Sequence, residues 1–142
     1  MSKAKKWGKR IFLSHALADR EAARRIRNAF SRYTGVRVFT PEMLSAGGEW
    51  LAKLKEEIKG SDVFVILLSP KTLDSDWVKW EIGAAWALEK PFVIVCTHPE
   101  VEANLLVEVT PEYLVNIEDF EEPEVVRQIL ELNGAKSNAA ST

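Results

Sequence analysis

Two short stretches that are apolar at every position limit the folds open to this chain. Residues 63–68 read VFVILL and residues 92–95 read FVIV. Unbroken apolar runs of this length are typical of strands covered on both faces, as in a parallel sheet. Shorter strand-like runs, at residues 10–14, 36–39 and 113–117, alternate with segments of helical periodicity. The alternation predicts an α/β fold with a central parallel sheet and helices on both of its faces.

Four segments have apolar residues at the spacing of an amphipathic helix. These predicted helices cover residues 19–33, 50–58, 75–88 and 123–132. Asp19 is a candidate N-cap of the first helix, and Ser75 or Asp74 is a candidate N-cap of the third. Residues 40–48 contain one proline and two glycines, which predicts an irregular loop, whereas residues 97–110 fit neither pattern.

The length and the charge of the chain fit a single domain. The sequence has 142 residues, of which 46% are hydrophobic and 28% are charged. We expect a basic N-terminal arm over residues 1–8, one domain over residues 9–133 and a flexible tail over residues 134–142. The formal net charge is −2, which gives no overall attraction to nucleic acids or anionic membranes, so neither is an expected partner.

The single cysteine, Cys96, directly follows one of the apolar runs. We interpret it as a buried core thiol, and one cysteine cannot form an internal disulfide. A reducing, cytoplasmic location fits this cysteine usage. The longest apolar run has six residues, at 63–68, and is far shorter than a membrane-spanning helix.

Several familiar catalytic and binding motifs are absent from the sequence. There is no Gly-x-Gly-x-x-Gly, no phosphate-binding Gly-x-x-x-x-Gly-Lys-Ser/Thr and no Gly-x-Ser-x-Gly elbow. The only histidines are His15 and His98, and neither has a neighbouring cysteine. These absences disfavour a zinc site, and no metal or cofactor is expected.

One acidic residue of the tryptophan-rich predicted helix lies on its apolar face, where an acidic residue is not expected. At about 100° per residue, the apolar stripe of this helix is centred on Trp77, Ala84 and Leu88 and is flanked by Trp80 and Ala85. Glu81 falls inside the stripe, one turn after Trp77. Because a carboxylate on a core-facing stripe is costly unless it is paired, Glu81 is either a functional group or one half of an ion pair, for example with Arg24.

Polar residues follow the predicted strands at the edge of the sheet where a ligand would bind. In parallel α/β sheets, ligands bind outside the carboxyl ends of the strands, near the point at which the strand order reverses. Ser14 and His15 follow the first strand, and Thr40 follows Phe39 at the end of the second. Glu81 comes early enough in its helix to lie near the same rim. On residue type alone, a turn cap at Ser14, a solvated His15 and a core Phe39 are the simpler interpretations.

A lone inward carboxylate suits the cleavage of a glycosidic bond. It can stabilise a cationic oxocarbenium centre, or hydrogen-bond a sugar hydroxyl beside that centre. When the leaving group is already cationic, no second carboxyl group is needed as a general acid. The bond between ribose and nicotinamide in NAD+ is of this kind. Trp77 and Trp80 could either line such a site or pack the helix against the rest of the fold.

Four segments of the sequence resemble, in order and spacing, the motifs of TIR domains. They are RIFLSH at residues 10–15, VRVF at 36–39 with GGEW at 47–50, SDVFVILLSP at 61–70, and SDWVKWE at 75–81. In the same order, they resemble the first strand and its exit, the second strand with the BB loop, the third strand, and the motif that ends in the catalytic glutamate of NAD-cleaving members. The resemblance covers residues 9–132.

The resemblance implies a flavodoxin-like sheet of five parallel strands and one of two behaviours. Many bacterial and plant TIR domains cleave NAD+ and form nicotinamide with ADP-ribose or a cyclic isomer, whereas many animal members only associate with other TIR domains. Carried over by position, Glu81 is the implied catalytic residue. The implied substrate-binding residues are Ser14, His15, Phe39, Thr40, Leu44 and Trp77. The loop at residues 40–49 is implied to gate the site and to contact another TIR domain.

We therefore predict an NAD+ glycohydrolase or cyclase that takes NAD+ as its substrate, is activated by self-association and acts in bacterial antiviral defence or effector signalling. The alternative is a non-enzymatic module that signals through contacts between TIR domains. A third interpretation is an enzyme similar to nucleoside deoxyribosyltransferases, which have a similar fold and a nucleophilic glutamate. That enzyme would need a nucleoside substrate in place of NAD+.

Overall fold

A sheet of five parallel strands forms the centre of the protein, which we describe from a computed structural model. The structure describes residues 7–41, 49–72, 76–103 and 113–132, with the backbone alone at residues 77, 78, 102 and 103. Residues 1–6 of the predicted arm, and the whole of the predicted tail, lie outside the described residues.

Strands and helices alternate along the chain, as the sequence predicts. In chain order they are β1 (Arg10–Ser14), α1 (Arg20–Ser31), β2 (Arg37–Phe39), α2 (Trp50–Gly60), β3 (Val63–Leu68), α3 (Asp76–Ala87), β4 (Phe92–Cys96), α4 (Pro99–Ala103), β5 (Tyr113–Asn116), α5 (Ile117–Phe120) and α6 (Pro123–Leu130). A short 3-10 helix, Leu17–Asp19, precedes α1. Within the described ranges, none of the helices has both the length and the apolar character needed to span a membrane.

The strand order across the sheet is β2-β1-β3-β4-β5, and all neighbouring strands are parallel. This arrangement confirms the predicted α/β fold with a flavodoxin-like five-stranded sheet. The chain first moves outward from β1 to β2 and then crosses back to β3, so the strand order reverses between β1 and β3. The carboxyl ends of these two strands therefore form the crevice at which such folds bind ligands.

Hydrophobic clusters on both faces of the sheet explain why the central strands are apolar throughout. Successive side chains of a strand point to opposite faces. Val65 and Val93 belong to the cluster beneath α1, α5 and α6, whereas Phe64 and Ile94 belong to the cluster beneath α2, α3 and α4. Every residue of β3 and β4 is buried. Cys96, the last residue of β4, is a buried core thiol, as predicted.

The segments that follow β4 and β5 differ from the sequence prediction. Helix α4 lies within residues 97–110, which carry no clear periodicity. The strand predicted over residues 113–117 ends one residue earlier, because Ile117 already belongs to α5. The side chain of Asn116 accepts a hydrogen bond from the backbone N–H of Glu118 at 2.9 Å. This N-cap ends the strand and begins a helix too short to show a helical pattern in the sequence.

We expect the substitution Phe64→Ala to destabilise the fold strongly. Phe64 is fully buried in β3, and its ring stacks on that of Phe12 in β1 with the centroids 4.9 Å apart. Loss of the ring leaves a cavity between two paired strands, and such a change costs about 3–5 kcal/mol of unfolding free energy. The control is Leu51→Ala on α2, whose side chain is exposed. Urea denaturation of both variants checks this, and equal effects would contradict the assigned core.

Candidate functional site

Glu81 lies in the crevice between β1 and β3, with its side chain fully buried. Helix α3 follows β3 and carries Glu81 over the carboxyl end of β1. There, Ser14 Oγ donates a short hydrogen bond to Glu81 Oε1. Ser14 points towards α3 because it lies two residues after Phe12, whose side chain belongs to the cluster on that face. Two residues that are 67 positions apart in the sequence are thus joined at the reversal of strand order.

The second oxygen of the same carboxyl group, Glu81 Oε2, is buried and has no hydrogen-bond partner among the described residues. Burial without a partner costs about 1–3 kcal/mol for a neutral polar atom and more for a charged one. Burial raises the pKa of Glu81 from its ordinary value of 4.5 to about 8, and the hydrogen bond from Ser14 lowers the pKa by a smaller amount. At neutral pH the carboxyl group is therefore mainly protonated in the free protein.

A positive charge brought next to this carboxyl group would favour its ionised form. Opposite charges a few ångströms apart lower the pKa of a carboxyl group, and the effect is strong where water is excluded. The site therefore combines an acceptor that has no partner among the described residues with a proton that a bound cation can displace. This is the chemical capability that the buried arrangement gives to Glu81.

The alternative of an ion pair between Glu81 and Arg24 is wrong. The guanidinium group of Arg24 lies 3.4 Å from the carboxylate of Glu21, one turn earlier on the exposed side of α1. Helix α1 covers one face of the sheet, whereas α3 covers the other. The sheet itself separates the two side chains.

The buried stripe of α3 differs in part from the prediction. Glu81 and Ala85 are buried, as predicted, whereas Trp80 and Leu88, which the prediction also placed on the apolar stripe, are 50% and 42% exposed. The small side chain of Ala85 lets the helix approach the sheet closely, which a tryptophan at the same position would prevent. The large side chains therefore dominate the sequence pattern but lie to the side of the true contact face. The side chain of Trp77 lies outside the described residues, so its predicted place in the site stays a prediction.

The structure places three other predicted site residues at the same rim. His15 is half-buried directly after β1, and its Nδ1 donates to the carbonyl oxygen of Ala16 at 2.8 Å. Phe39 ends β2, is half-buried and packs on Phe12 with the ring centroids 5.6 Å apart. Thr40 follows it and is fully buried, with no hydrogen-bond partner for Oγ1 within the described part of the chain.

Leu44 and most of the predicted loop at residues 40–49 lie outside the described residues. The predicted N-cap Ser75 and its alternative Asp74 also lie outside them. Their assignments stay predictions from the sequence.

A hydrogen-bonded cluster at this rim is not predicted from the sequence. Ser69, which directly follows β3, donates from Oγ to Asp19 Oδ2 at 2.8 Å, and its backbone N–H donates to Thr72 Oγ1 at 2.9 Å. Asp19 occupies the N-cap position of α1, as predicted, but its side chain makes no cap hydrogen bond. It joins the loop after β1 to the loop after β3 instead. The sequence signals polar residues after each strand, but only the strand order brings them together.

Among the described residues, no group of three histidine, cysteine, aspartate or glutamate side chains is arranged to hold a metal ion.

Comparison with known protein families places this chain in one of them. The family model described as the TIR domain matches residues 11–130. This chain belongs to the TIR domain family. The match spans all five strands of the sheet, from β1 to β5, and includes Ser14 and Glu81. None of the curated proteins matches this TIR domain.

Solved structures with a similar fold include two enzymes. A 2-deoxyribosyltransferase from Bacillus psychrosaccharolyticus is 19% identical with a TM-score of 0.54, over 88% of the TIR domain chain and 98% of that chain. A CMP N-glycosidase from Clostridium botulinum is 19% identical with a TM-score of 0.53, over 84% of the TIR domain chain and 97% of that chain. At this level of identity, the likeness shows a shared fold.

We expect the stability of the TIR domain to depend on pH through Glu81. The pKa of about 8 in the folded protein lies above the ordinary value of 4.5, so between these two pH values the folded state holds a proton that the unfolded chain has lost. The contribution of this group to stability is therefore full below pH 4.5 and falls as the pH rises to about 8. Urea denaturation across this range should show the wild type losing stability relative to Glu81→Gln. A difference between the two proteins that stays constant with pH would contradict the raised pKa.

Proposed function

We propose that this TIR domain cleaves NAD+ at the bond between nicotinamide and ribose, and forms ADP-ribose or a cyclic isomer of it. The observation that supports the proposal most is the buried carboxyl group of Glu81, at the reversal of strand order, with one oxygen held by Ser14 and the other without a partner among the described residues. A buried carboxyl group in that condition is more costly than an apolar side chain of similar size. A catalytic role gives a reason for retaining it.

In the proposed reaction, the bond between ribose C1′ and the pyridinium nitrogen breaks, and its electron pair leaves with nicotinamide. The nicotinamide ring is positively charged in NAD+ and leaves as a neutral molecule, so no general acid has to protonate it. Positive charge develops on the ribose, where the ionised Glu81 carboxylate stabilises it. Water then attacks C1′ and loses a proton to give ADP-ribose, or a nitrogen of the adenine ring attacks to give a cyclic product.

Substrate charge and the ionisation of Glu81 are coupled in this mechanism. In the free protein, burial holds the pKa of Glu81 at about 8. The pyridinium ring of bound NAD+ favours loss of that proton, so the carboxylate forms where the cationic substrate needs it. Ser14 acts as a positioning residue, because its hydroxyl group orients the carboxyl group of Glu81 and stabilises its charge.

The remaining predicted residues bind substrate in this proposal. They are His15, Phe39, Thr40, Leu44 and Trp77. The unpartnered Oγ1 of Thr40 supports a polar contact with bound substrate, since a buried hydroxyl group otherwise lacks a partner among the described residues. The names of the two structural neighbours, an N-glycosidase and a 2-deoxyribosyltransferase, fit a reaction at a glycosidic carbon. The protein also self-associates in this proposal, through the loop at residues 40–49. It acts in the cytoplasm of a bacterium, in defence against phage or in effector signalling.

A second candidate function is a non-enzymatic module that signals by contact with other TIR domains. The observation that favours it is Trp86 on α3, of which 64% is exposed. Tryptophan is enriched at protein–protein interfaces relative to the rest of the protein surface. This function needs no carboxyl group in the crevice, so the two candidates differ in what they predict for Glu81.

We expect Glu81→Gln to lower NAD+ cleavage by about 100-fold or more, because the amide cannot offset positive charge on the ribose. Release of nicotinamide from NAD+ by concentrated protein, followed by chromatography, measures the effect. The matched control is Glu56→Gln, which makes the same change at an exposed position of α2. Equal release by wild type and Glu81→Gln would contradict the enzymatic proposal. If concentrated wild type releases no nicotinamide but still associates, the non-enzymatic module is the better account.

We expect Ser14→Ala to shift the pH dependence of cleavage upward. The hydrogen bond from Ser14 lowers the pKa of Glu81, which burial raises to about 8. Without it, a higher pH is needed to ionise the carboxyl group, and the rising limb of kcat/KM against pH moves to higher values. Ser14→Thr keeps the hydroxyl group and should leave the limb nearer to that of the wild type. A uniform loss of activity with an unmoved limb would indicate a structural role for Ser14 alone.

A further inference from the structure

Strand β3 extends further than its neighbour β1 at the carboxyl edge of the sheet. In the pairing of these two strands, Ser14 at the end of β1 lies opposite Ile66, whereas β3 continues to Leu68. Ser69, which follows directly, therefore lies beyond the end of β1, on the side where the crevice opens. On the other side of β3 the pairing with β4 goes on, because the N–H of Thr97 donates to the carbonyl oxygen of Leu68 at 3.0 Å.

A tight turn holds Ser69 in place. The backbone N–H of Thr72 donates to the carbonyl oxygen of Ser69 at 3.0 Å, and the backbone N–H of Ser69 donates to Thr72 Oγ1 at 2.9 Å. Pro70 is the second residue of this turn, a position at which its ring fixes φ in the range that common turns require. Ser69 and Thr72 are both buried. The hydroxyl group of Ser69 is thus a donor with a fixed position.

Asp19 is the acceptor for this hydroxyl group. Ser69 Oγ donates to Asp19 Oδ2 at 2.8 Å, across 50 positions of the sequence. Asp19 occupies the N-cap position of α1, where a carboxylate commonly accepts a hydrogen bond from its own helix and contributes about 0.5–2 kcal/mol of stability. The side chain of Asp19 makes no such bond. The chain uses this carboxylate to join two loops and not to cap a helix.

Two hydrogen bonds hold the ends of one short loop at the rim of the crevice. Residues 15–18 lie between Ser14, which is bound to Glu81, and Asp19, which is bound to Ser69. This loop carries His15, which is half-buried and which the proposed function assigns to substrate binding. Because a loop of four residues that is held at both ends has few conformations, little of its entropy is lost when a ligand binds to it.

We propose that Asp19 and Ser69 are positioning residues, which hold the loop at residues 15–18 in the conformation that binds the substrate. The inference rests on the proposed cleavage of NAD+. Neither residue touches the reacting atoms in this account, because both act through the loop. Ser14 is held independently by the pairing of β1 with β3, so its bond to Glu81 survives the loss of the bond between Asp19 and Ser69. The pair therefore governs substrate binding and not the ionisation of Glu81.

Steady-state kinetics of nicotinamide release separate this role from a loss of stability. Asp19→Ala should raise the KM for NAD+ by about tenfold and leave kcat nearly unchanged, since it weakens binding before and during the reaction alike. The rising limb of kcat/KM against pH should stay at its wild-type position, in contrast to that of Ser14→Ala. A variant that is partly unfolded contains less active enzyme, which lowers the apparent kcat and leaves KM unchanged.

Further variants assign the effect to the hydrogen bond itself. Asp19→Asn keeps an acceptor oxygen for Ser69 Oγ and should recover most of the lost affinity. Ser69→Ala should raise KM as Asp19→Ala does, and the double variant should be no worse than either single variant, because both changes remove the same bond. The matched control is Glu21→Ala, which removes an exposed carboxylate from the first turn of α1 and changes the net charge equally. This control should keep the wild-type KM.

Hydrogen exchange of the backbone amides at residues 15–19 gives a measurement that does not depend on turnover. One of these amides is the N–H of Asp19, which donates to the carbonyl oxygen of Ala16 at 2.9 Å. Exchange in this segment should be faster in Asp19→Ala and in Ser69→Ala than in the wild type and in Glu21→Ala.

The outcomes distinguish this inference from the proposed function. If the wild type releases nicotinamide but Asp19→Ala keeps the wild-type KM or the wild-type exchange, the inference is wrong and the proposed function stands. A fall in kcat alone would likewise show that Asp19 serves only stability. If the wild type releases no nicotinamide at any concentration, the proposed function is wrong and this inference is overturned with it.

Discussion

The burial of one carboxyl group, at the point where strand order reverses, is the constraint on which the candidate site depends. Glu81 is removed from water, which raises its pKa to about 8, and Ser14 supplies its one hydrogen bond among the described residues. This arrangement is less stable than an apolar side chain of the same shape would be. In the proposed function the arrangement becomes useful when a cationic substrate enters the crevice, because the charge of the substrate then favours the ionised carboxylate. The proposed cleavage of NAD+ uses that coupling between the substrate charge and the carboxyl group.

The geometry of the crevice follows from the parallel sheet. The exit of β1 is joined to α3 on one face by the bond between Ser14 and Glu81, and to the exit of β3 by the bond between Ser69 and Asp19. These hydrogen bonds fix the loop that carries His15. The rigid part of the crevice is thus built on the apolar central strands, which are covered by helices on both faces. A precise position for a reacting group requires such support from packed elements.

The sequence by itself determined the α/β class, the buried strands and the unusual position of Glu81. Unbroken apolar runs require cover on both faces, and a carboxylate inside a helix stripe is visible from its phase alone. Only the tertiary structure decided that the partner of Glu81 is Ser14 and not Arg24. The order of the strands in the sheet sets which elements lie next to each other, and the hydrophobic periodicity of the sequence does not contain that order. The tertiary structure also decided the orientation of α3, in which Ala85 faces the sheet and Trp80 does not. A small side chain at the contact lets the helix pack closely on the sheet. The bond of Asp19 to Ser69 has the same origin: two loops meet only after β1 and β3 have paired.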